Sequence, residues 1–173
     1  ALPILQKLMP HYLKQPRHHQ WEQLVKHFLD IAVTGEVSDA LGQAYLMAGK
    51  YMLGSSDVSQ AVSSFWQASQ YAQNVQNDED RIQAYIELLR TDVFHTGPKW
   101  DATETHAQLK AFADETPDPI TRAVIYFSLA VYHVKRHEFE HAELLAKAAL
   151  DLESQTYQQQ QATDSNGLHN TRT

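Results

Sequence analysis

The sequence contains no cysteine, few turn-forming residues and no long apolar run. The absence of cysteine among the 173 residues excludes disulfides, thiolate zinc sites and cysteine nucleophiles. Glycine and proline number only six each, so we expect long helices with few turns between them. No segment reaches the roughly 18 uncharged apolar residues that a membrane span needs. We therefore expect no membrane insertion and a cytoplasmic location.

The charge balance disfavours nucleic acid as a partner. The formal net charge is −7, from 14 Lys and Arg against 21 Asp and Glu, and the basic residues form no cluster. Such a chain repels a phosphate backbone, so we expect no nucleic acid partner. The length favours one domain. Because the chain begins with Ala1 and not with Met, we expect a processed protein or a fragment of a longer one.

Apolar residues recur every three or four positions along most of the chain, which is the spacing of one face of a helix. No convincing alternating strand pattern is found. Short breaks with capping residues, such as Asp57, Asn77 and Asp118, separate the periodic segments. The breaks predict helices over 2–14, 16–33, 37–54, 57–75, 78–95, 102–115, 119–135 and 138–157. The glutamines 158–161 are able to prolong the last helix, but residues 163–173 have almost no apolar surface to bury, so we expect 158–173 to form a polar, flexible tail.

Two segments share one spacing of aromatic and small residues. Tyr45 precedes Ala61 by sixteen residues, and Tyr126 precedes Ala142 by the same distance. A less regular third copy lies between them, with a longer turn. It consists of Tyr85, Leu88 and Leu89, followed by Thr105, Leu109 and Phe112. A hairpin that recurs in this way is expected to bury its apolar face by stacking on its neighbours.

These segments resemble the tetratricopeptide pattern W-x2-L-G-x2-Y…A-x3-F, in which small residues allow two helices to approach closely. The resemblance covers roughly residues 37–153. His133 and Ala146 depart from it, because the family usually has tyrosine and a large side chain there. The resemblance implies an all-α solenoid of about four antiparallel helix hairpins, wound as a right-handed superhelix over residues 1–157.

The resemblance also implies a function, because tetratricopeptide domains hold other proteins. We expect a non-catalytic module, within a bacterial signalling or regulatory protein, that binds a partner protein or peptide. The family lines a concave groove with the first helix of each hairpin. Its matching positions predict the partner-binding residues Gln43, Leu46, Lys50, Leu53, Gln83, Ile86, Arg90, Val93, Val124, Phe127, Val131 and Lys135. Apolar residues mixed with cations suit an acidic or amphipathic partner.

Two other functions stay open. One is a sensor domain that responds to a ligand or peptide and controls an attached output domain. The other is a zinc peptidase, because His137-Glu138-x-x-His141 matches H-E-x-x-H, whose histidines bind metal from successive helical turns. In the repeat register His137 lies at the turn before the helix, and no third ligand follows at the usual spacing. We therefore expect no catalytic residues, no metal and no cofactor.

Self-association is a further expectation. The first predicted hairpin, over 2–33, begins with apolar residues that are free to stack on a second copy. These residues are Leu2, Ile4, Leu5 and Leu8. A homodimer is therefore a candidate assembly.

Overall fold

The computed structural model describes residues 38–94 and 102–169, together with Gln23, His27 and Asp30. Every regular element in this part of the chain is a helix, in agreement with the all-α prediction. The six helices between 38 and 169 are α1 (Ser38–Gly54), α2 (Val58–Asn74), α3 (Asp78–Phe94), α4 (Ala102–Glu115), α5 (Pro119–Lys135) and α6 (Phe139–His169). Apart from Gln23, His27 and Asp30, the residues of the helices predicted within 2–33 lie outside the described part of the chain, and so do the apolar residues of the proposed dimer contact.

The predicted helix bounds agree with the structure to within one residue for α1 to α5. The exception is the end of α6, which lies at His169 and not at the predicted Tyr157. The extension begins with the glutamines 158–161, and glutamine is a good helix former. The mobility of the residues after 157, and the domain bounds 1–157 and 158–173, stay predictions.

The chain divides into two compact units, Ala1–Ala102 and Thr103–Thr173, and each is described by itself. In the first unit, α1 packs along α2, and α3 packs against both. In the second unit, α5 packs along α6, and the ring of His106 on α4 contacts two rings of α5. No helix of the described residues is both long and apolar enough to cross a membrane.

The α1–α2 and α5–α6 hairpins have matching bounds. Both ends of α5 lie 81 residues after the ends of α1 (119 against 38, 135 against 54), and α6 begins 81 residues after α2 (139 against 58). The same offset relates Tyr45 to Tyr126 in the sequence. The bounds therefore agree with an internal repeat of one hairpin. The tetratricopeptide type of the repeat, and its solenoid stacking, stay predictions.

The turns after α1, α2 and α5 have one geometry. In each turn the second residue after the helix has a positive φ: 65° at Ser56, 56° at Gln76 and 61° at His137. Its amide donates to the carbonyl three residues earlier, and the next amide donates to the carbonyl five residues earlier. Asp57 N, for example, donates to Met52 O at 2.9 Å. These paired bonds form the Schellman motif, which satisfies the last carbonyl groups of a helix.

In two of these turns the residue that completes the motif also begins the next helix. Asp57 Oδ1 accepts a hydrogen bond from Gln60 N at 3.1 Å, and Asn77 Oδ1 accepts one from Asp80 N at 3.1 Å. A side-chain oxygen at this position satisfies one of the free amides of the first helical turn. The same residue therefore completes the end of one helix and caps the start of the next, so no further linker residue separates them.

A glycine lets the helices of the first hairpin approach closely. Gly49 is buried, and a Cβ atom built there would lie only 2.4 Å from Cε1 of Phe65 on α2. Side chains larger than hydrogen do not fit without movement. Ala61 in this hairpin and the matching Ala130 and Ala142 in the second are also buried. The prediction that these small residues lie in the core, and not in water, is confirmed.

Candidate functional site

The partner-binding residues that were predicted in the first unit are mostly covered. Leu46 and Ile86 are buried. Half-buried are Gln43, Lys50, Leu53, Gln83 and Val93, whereas Arg90 is exposed. The apolar members therefore pack within the unit and present little surface to a ligand. Their contact with a partner stays a prediction.

The two cations of this predicted face are paired within the chain. Glu87 on α3 is only 5% exposed, and its Oε1 lies 3.5 Å from Lys50 Nζ and 3.3 Å from Arg90 Nη1. Gln83 Nε2 donates to the same oxygen at 3.2 Å. A buried carboxylate needs such partners, because removing one typically costs about 3–5 kcal/mol. Lys50 and Arg90 therefore both pair with Glu87, and the three side chains together keep one net positive charge.

In the second unit the predicted face is open. Val124, Phe127 and Lys135 are exposed, and Val131 is half-buried. Val124 and Phe127 border a groove of about 580 Å³ between α5 and α6. The small side chains of Ala146 and Ala149 on α6 line the same groove, which keeps it open. Val124 and Phe127 are the members of the predicted set that line this groove.

Three further groove residues were not selected from the sequence. Ile120, Leu150 and Tyr157 line the groove, and each is more than half exposed. The spacing of these residues in the sequence is the signal that could have identified them. Ile120 and Phe127 are seven residues apart on α5, and Leu150 and Tyr157 are seven apart on α6, so each pair shares one helix face. Periodicity alone did not show that these side chains are left exposed.

The groove is almost free of charge. Glu153 is the only charged side chain among the described residues that line it. The hydroxyls of Ser128 and Thr156 donate to carbonyls of their own helices, at 2.8 Å and 2.9 Å. These hydroxyls have therefore already used their donors. The surface offers apolar contacts and one anion, and it offers no paired acid and base for catalysis.

The H-E-x-x-H segment does not place its histidines on one helix face. His137 lies in the turn before α6 with a φ of 61°, and its ring packs edge-on against Phe139. His141 stacks on His133 of α5, with ring centroids 5.6 Å apart. No group of three or more His, Asp or Glu within the described ranges is placed to hold a metal ion. The helical geometry that a zinc peptidase requires is not formed by this segment.

A chain of hydrogen bonds links α4 to the turn between α5 and α6. His106 Nε2 lies 3.1 Å from His133 Nε2, and His133 Nδ1 lies 2.5 Å from Glu138 Oε2. With both rings neutral, His133 Nδ1–H donates to the carboxylate, and His106 Nε2–H donates to the remaining lone pair of His133. Burial, helped by the nearby His133, lowers the pKa of His106. The structure therefore favours the neutral form of His106.

Comparison with known proteins finds no relative of this chain. No protein-family model, curated protein or solved structure matches the chain. The tetratricopeptide resemblance therefore remains a resemblance of sequence pattern. What can be said of function depends on the groove between α5 and α6.

Proposed function

We propose that this chain is a non-catalytic interaction module that holds a partner protein on the groove between α5 and α6. The observation that supports it is the cluster of exposed apolar side chains around the groove. The cluster consists of Ile120, Val124, Phe127, Leu150 and Tyr157. Contiguous apolar surface of this kind commonly marks an interaction site in soluble domains. Covering it removes that surface from water.

The energetic gain is concentrated in a few residues. Phe127 is 62% exposed and Leu150 is 61% exposed, so most of each side chain is available for burial. Complete burial of such a side chain is worth about 1.5–3 kcal/mol, which leaves about 1–2 kcal/mol for each residue here. Interfaces commonly depend on a few residues that become fully buried at their centre. Phe127 and Leu150 are therefore the residues to test first.

The proposal keeps part of the surface that the sequence predicted. Val124 and Phe127 remain in the binding face, and the contact extends onto α6 through Leu150 and Tyr157. The first-unit residues contribute less, because Leu46 is buried and Lys50 is paired with Glu87. Catalysis is not part of the proposal, since the groove contains one carboxylate and no base beside it.

A capture experiment with matched variants tests the proposal. Phe127→Ser with Leu150→Ser removes the largest groove side chains. Phe139→Ser with Leu144→Ser is the control, because these residues are equally exposed, at 61% and 67%, and lie outside the groove. Each tagged protein is used to capture partners from native extract, with quantitative mass spectrometry. We expect a protein that the wild type and the control retain and that the groove variant loses by tenfold or more.

The opposite pattern would refute the proposal. If the groove variant, folded by circular dichroism, retains the same proteins as the control variant, the groove is not the binding surface. Loss with both variants would show that exposed apolar residues in general cause the retention, and it would count equally against the groove.

A further inference from the structure

The first hairpin shows what covers the matching groove. Gly42 on α1 corresponds to Ala123 in the α5–α6 groove, at the offset of 81 residues. A Cβ atom on Gly42 would lie 3.7 Å from Ala72 N on α2 and 3.8 Å from Asp80 Oδ2 on α3. Helix α3 therefore lies over the groove between α1 and α2. The second hairpin repeats that groove and leaves it open.

The polar contacts that hold α3 in place have no equivalents in the second hairpin. Asp80 is hydrogen-bonded by Gln43, and Glu87 is paired with Lys50. At the offset of 81 residues, Gln43 and Lys50 correspond to Val124 and Val131. A helix with acids at these two places would face apolar valines and lose its partners. The α5–α6 groove therefore selects against a helix with the charges of α3.

The single anion of the groove indicates the opposite charge in its occupant. Glu153 corresponds to Ala72, and Ala72 N and Asp80 Oδ2 both lie within 4 Å of the same point beside Gly42. A residue at the place of Asp80 would therefore lie close to Glu153. A carboxylate there would repel Glu153, whereas Lys or Arg could cover Val124 with its stem and pair its head with Glu153.

We propose that the α5–α6 groove binds an amphipathic helix of a partner protein, laid along the hairpin as α3 lies along α1 and α2. The partner helix carries Lys or Arg at the place of Asp80 and an apolar residue seven positions later, at the place of Glu87. This inference rests on the proposed function and names the class of its partner. The site lies between the two helices of one hairpin, and so it differs from a concave groove lined by first helices alone.

Peptides based on α3 provide direct probes. The native probe has the sequence of residues 78–94, and the redesigned probe carries Asp80→Arg and Glu87→Leu in the same sequence. A third probe is a scrambled version of the redesigned peptide. Each is acetylated, amidated and fluorescently labelled, and each is titrated with the full chain by anisotropy. We expect the redesigned probe to bind at least tenfold more tightly than the native and scrambled probes.

Variants of the full chain locate the binding. The groove variant, Phe127→Ser with Leu150→Ser, should weaken the redesigned probe by tenfold or more, whereas Phe139→Ser with Leu144→Ser should leave its affinity unchanged. Glu153→Lys should weaken this probe about two- to fivefold, the size expected of an exposed ion pair. The same variant should strengthen a probe that keeps Asp80 and carries only Glu87→Leu. This exchange of charge tests the orientation of the helix.

Three results would overturn the inference. If the redesigned probe binds no better than its scramble, or if the groove variant does not weaken it, the occupant is not a helix of this class. A groove-dependent partner in the capture experiment would then still support the proposed function. If light scattering shows a dimer that the groove variant abolishes and the redesigned probe does not displace, the occupant is a second copy of the chain.

Discussion

Gly49 is the position where a single added carbon should have the clearest effect. In Gly49→Ala the new Cβ would lie 2.4, 2.6 and 2.8 Å from three ring carbons of Phe65, whose side chain is fully buried. The ring has no solvent to move into, so overpacking should cost about 2–3 kcal/mol. Alanine gains about 1 kcal/mol over glycine in a helix interior. The expected net loss of unfolding free energy is therefore about 1–2 kcal/mol.

Two other glycines of α1 provide controls on the same helix. A Cβ atom on Gly54 would meet nothing within 4 Å, and one on Gly42 would meet its neighbours at ordinary contact distances of 3.7–3.8 Å. Gly54→Ala and Gly42→Ala should therefore be neutral or stabilise by up to about 1 kcal/mol through helix propensity. Urea denaturation followed by far-ultraviolet circular dichroism measures all three variants.

The Phe65→Leu background tests the cause of the loss. Without the ring, Gly49→Ala should become neutral or stabilising, which corresponds to a coupling of about 2 kcal/mol between the two positions. An unchanged penalty in that background, or a Gly49→Ala protein as stable as the wild type, would refute the close approach of α1 and α2.

Three more predictions concern charge, pH and backbone conformation. Lys50→Glu with Arg90→Glu should lower the free energy of unfolding by about 1–3 kcal/mol. The loss is smaller than for a fully buried ion pair, because the two cations are partly exposed. Adding Glu87→Gln to this variant should recover most of the loss, as measured by urea denaturation. Because the pKa of His106 is lowered in the folded state, the unfolded chain binds this proton more readily. Stability should therefore be complete above about pH 6.5 and decline as pH falls below it, and His106→Gln should reduce the difference between urea midpoints at about pH 7.5 and about pH 5.5. The pKa of Asp80 is raised by burial, and Asp80 contributes to the pH dependence of both the wild type and His106→Gln, so its contribution cancels in this comparison. Gln76 has a positive φ, so Gln76→Gly should raise the stability of the chain by about 0.5–1 kcal/mol, whereas Gln73→Gly within α2 should lower it by about 1 kcal/mol. Equal effects of the two substitutions on the melting temperature would contradict the assigned turn.

Local signals in the sequence were sufficient for the helices and most of their ends. The helix starts predicted at 57, 78 and 119 agree with the structure to within one residue, because a capping side chain acts on amides only two or three residues away. The end of α6 was predicted too early. Apolar periodicity stops near Tyr157, and the glutamine run, which the sequence offered as an extension, continues the helix without an apolar face.

Contacts between residues far apart in the sequence could not be predicted from the sequence pattern. The pairing of Glu87 with Arg90 could be read from their spacing of three, but Lys50 joins them only because α3 packs on α1. His106 and His133 are 27 residues apart, and their contact likewise depends on how α4 meets α5. Val124 and Phe127 are exposed, and their contact with a partner stays a prediction. Their meeting with Leu150 and Tyr157 required the structure.

The turns between paired helices have a mechanical consequence. Within the turn after α1, successive amides are bonded back into the helix just ended, while the Asp57 carboxylate is bonded forward into the helix that begins. Such a turn is rigid, because bending at Ser56 would have to break several hydrogen bonds together. The α1–α2 hairpin is thus expected to move as one rigid unit. The turn after α5 has the same paired backbone bonds, and the Glu138 carboxylate accepts a hydrogen bond from Arg136 Nε within it, so a load that a bound partner applies to α5 is expected to reach α6 through the turn.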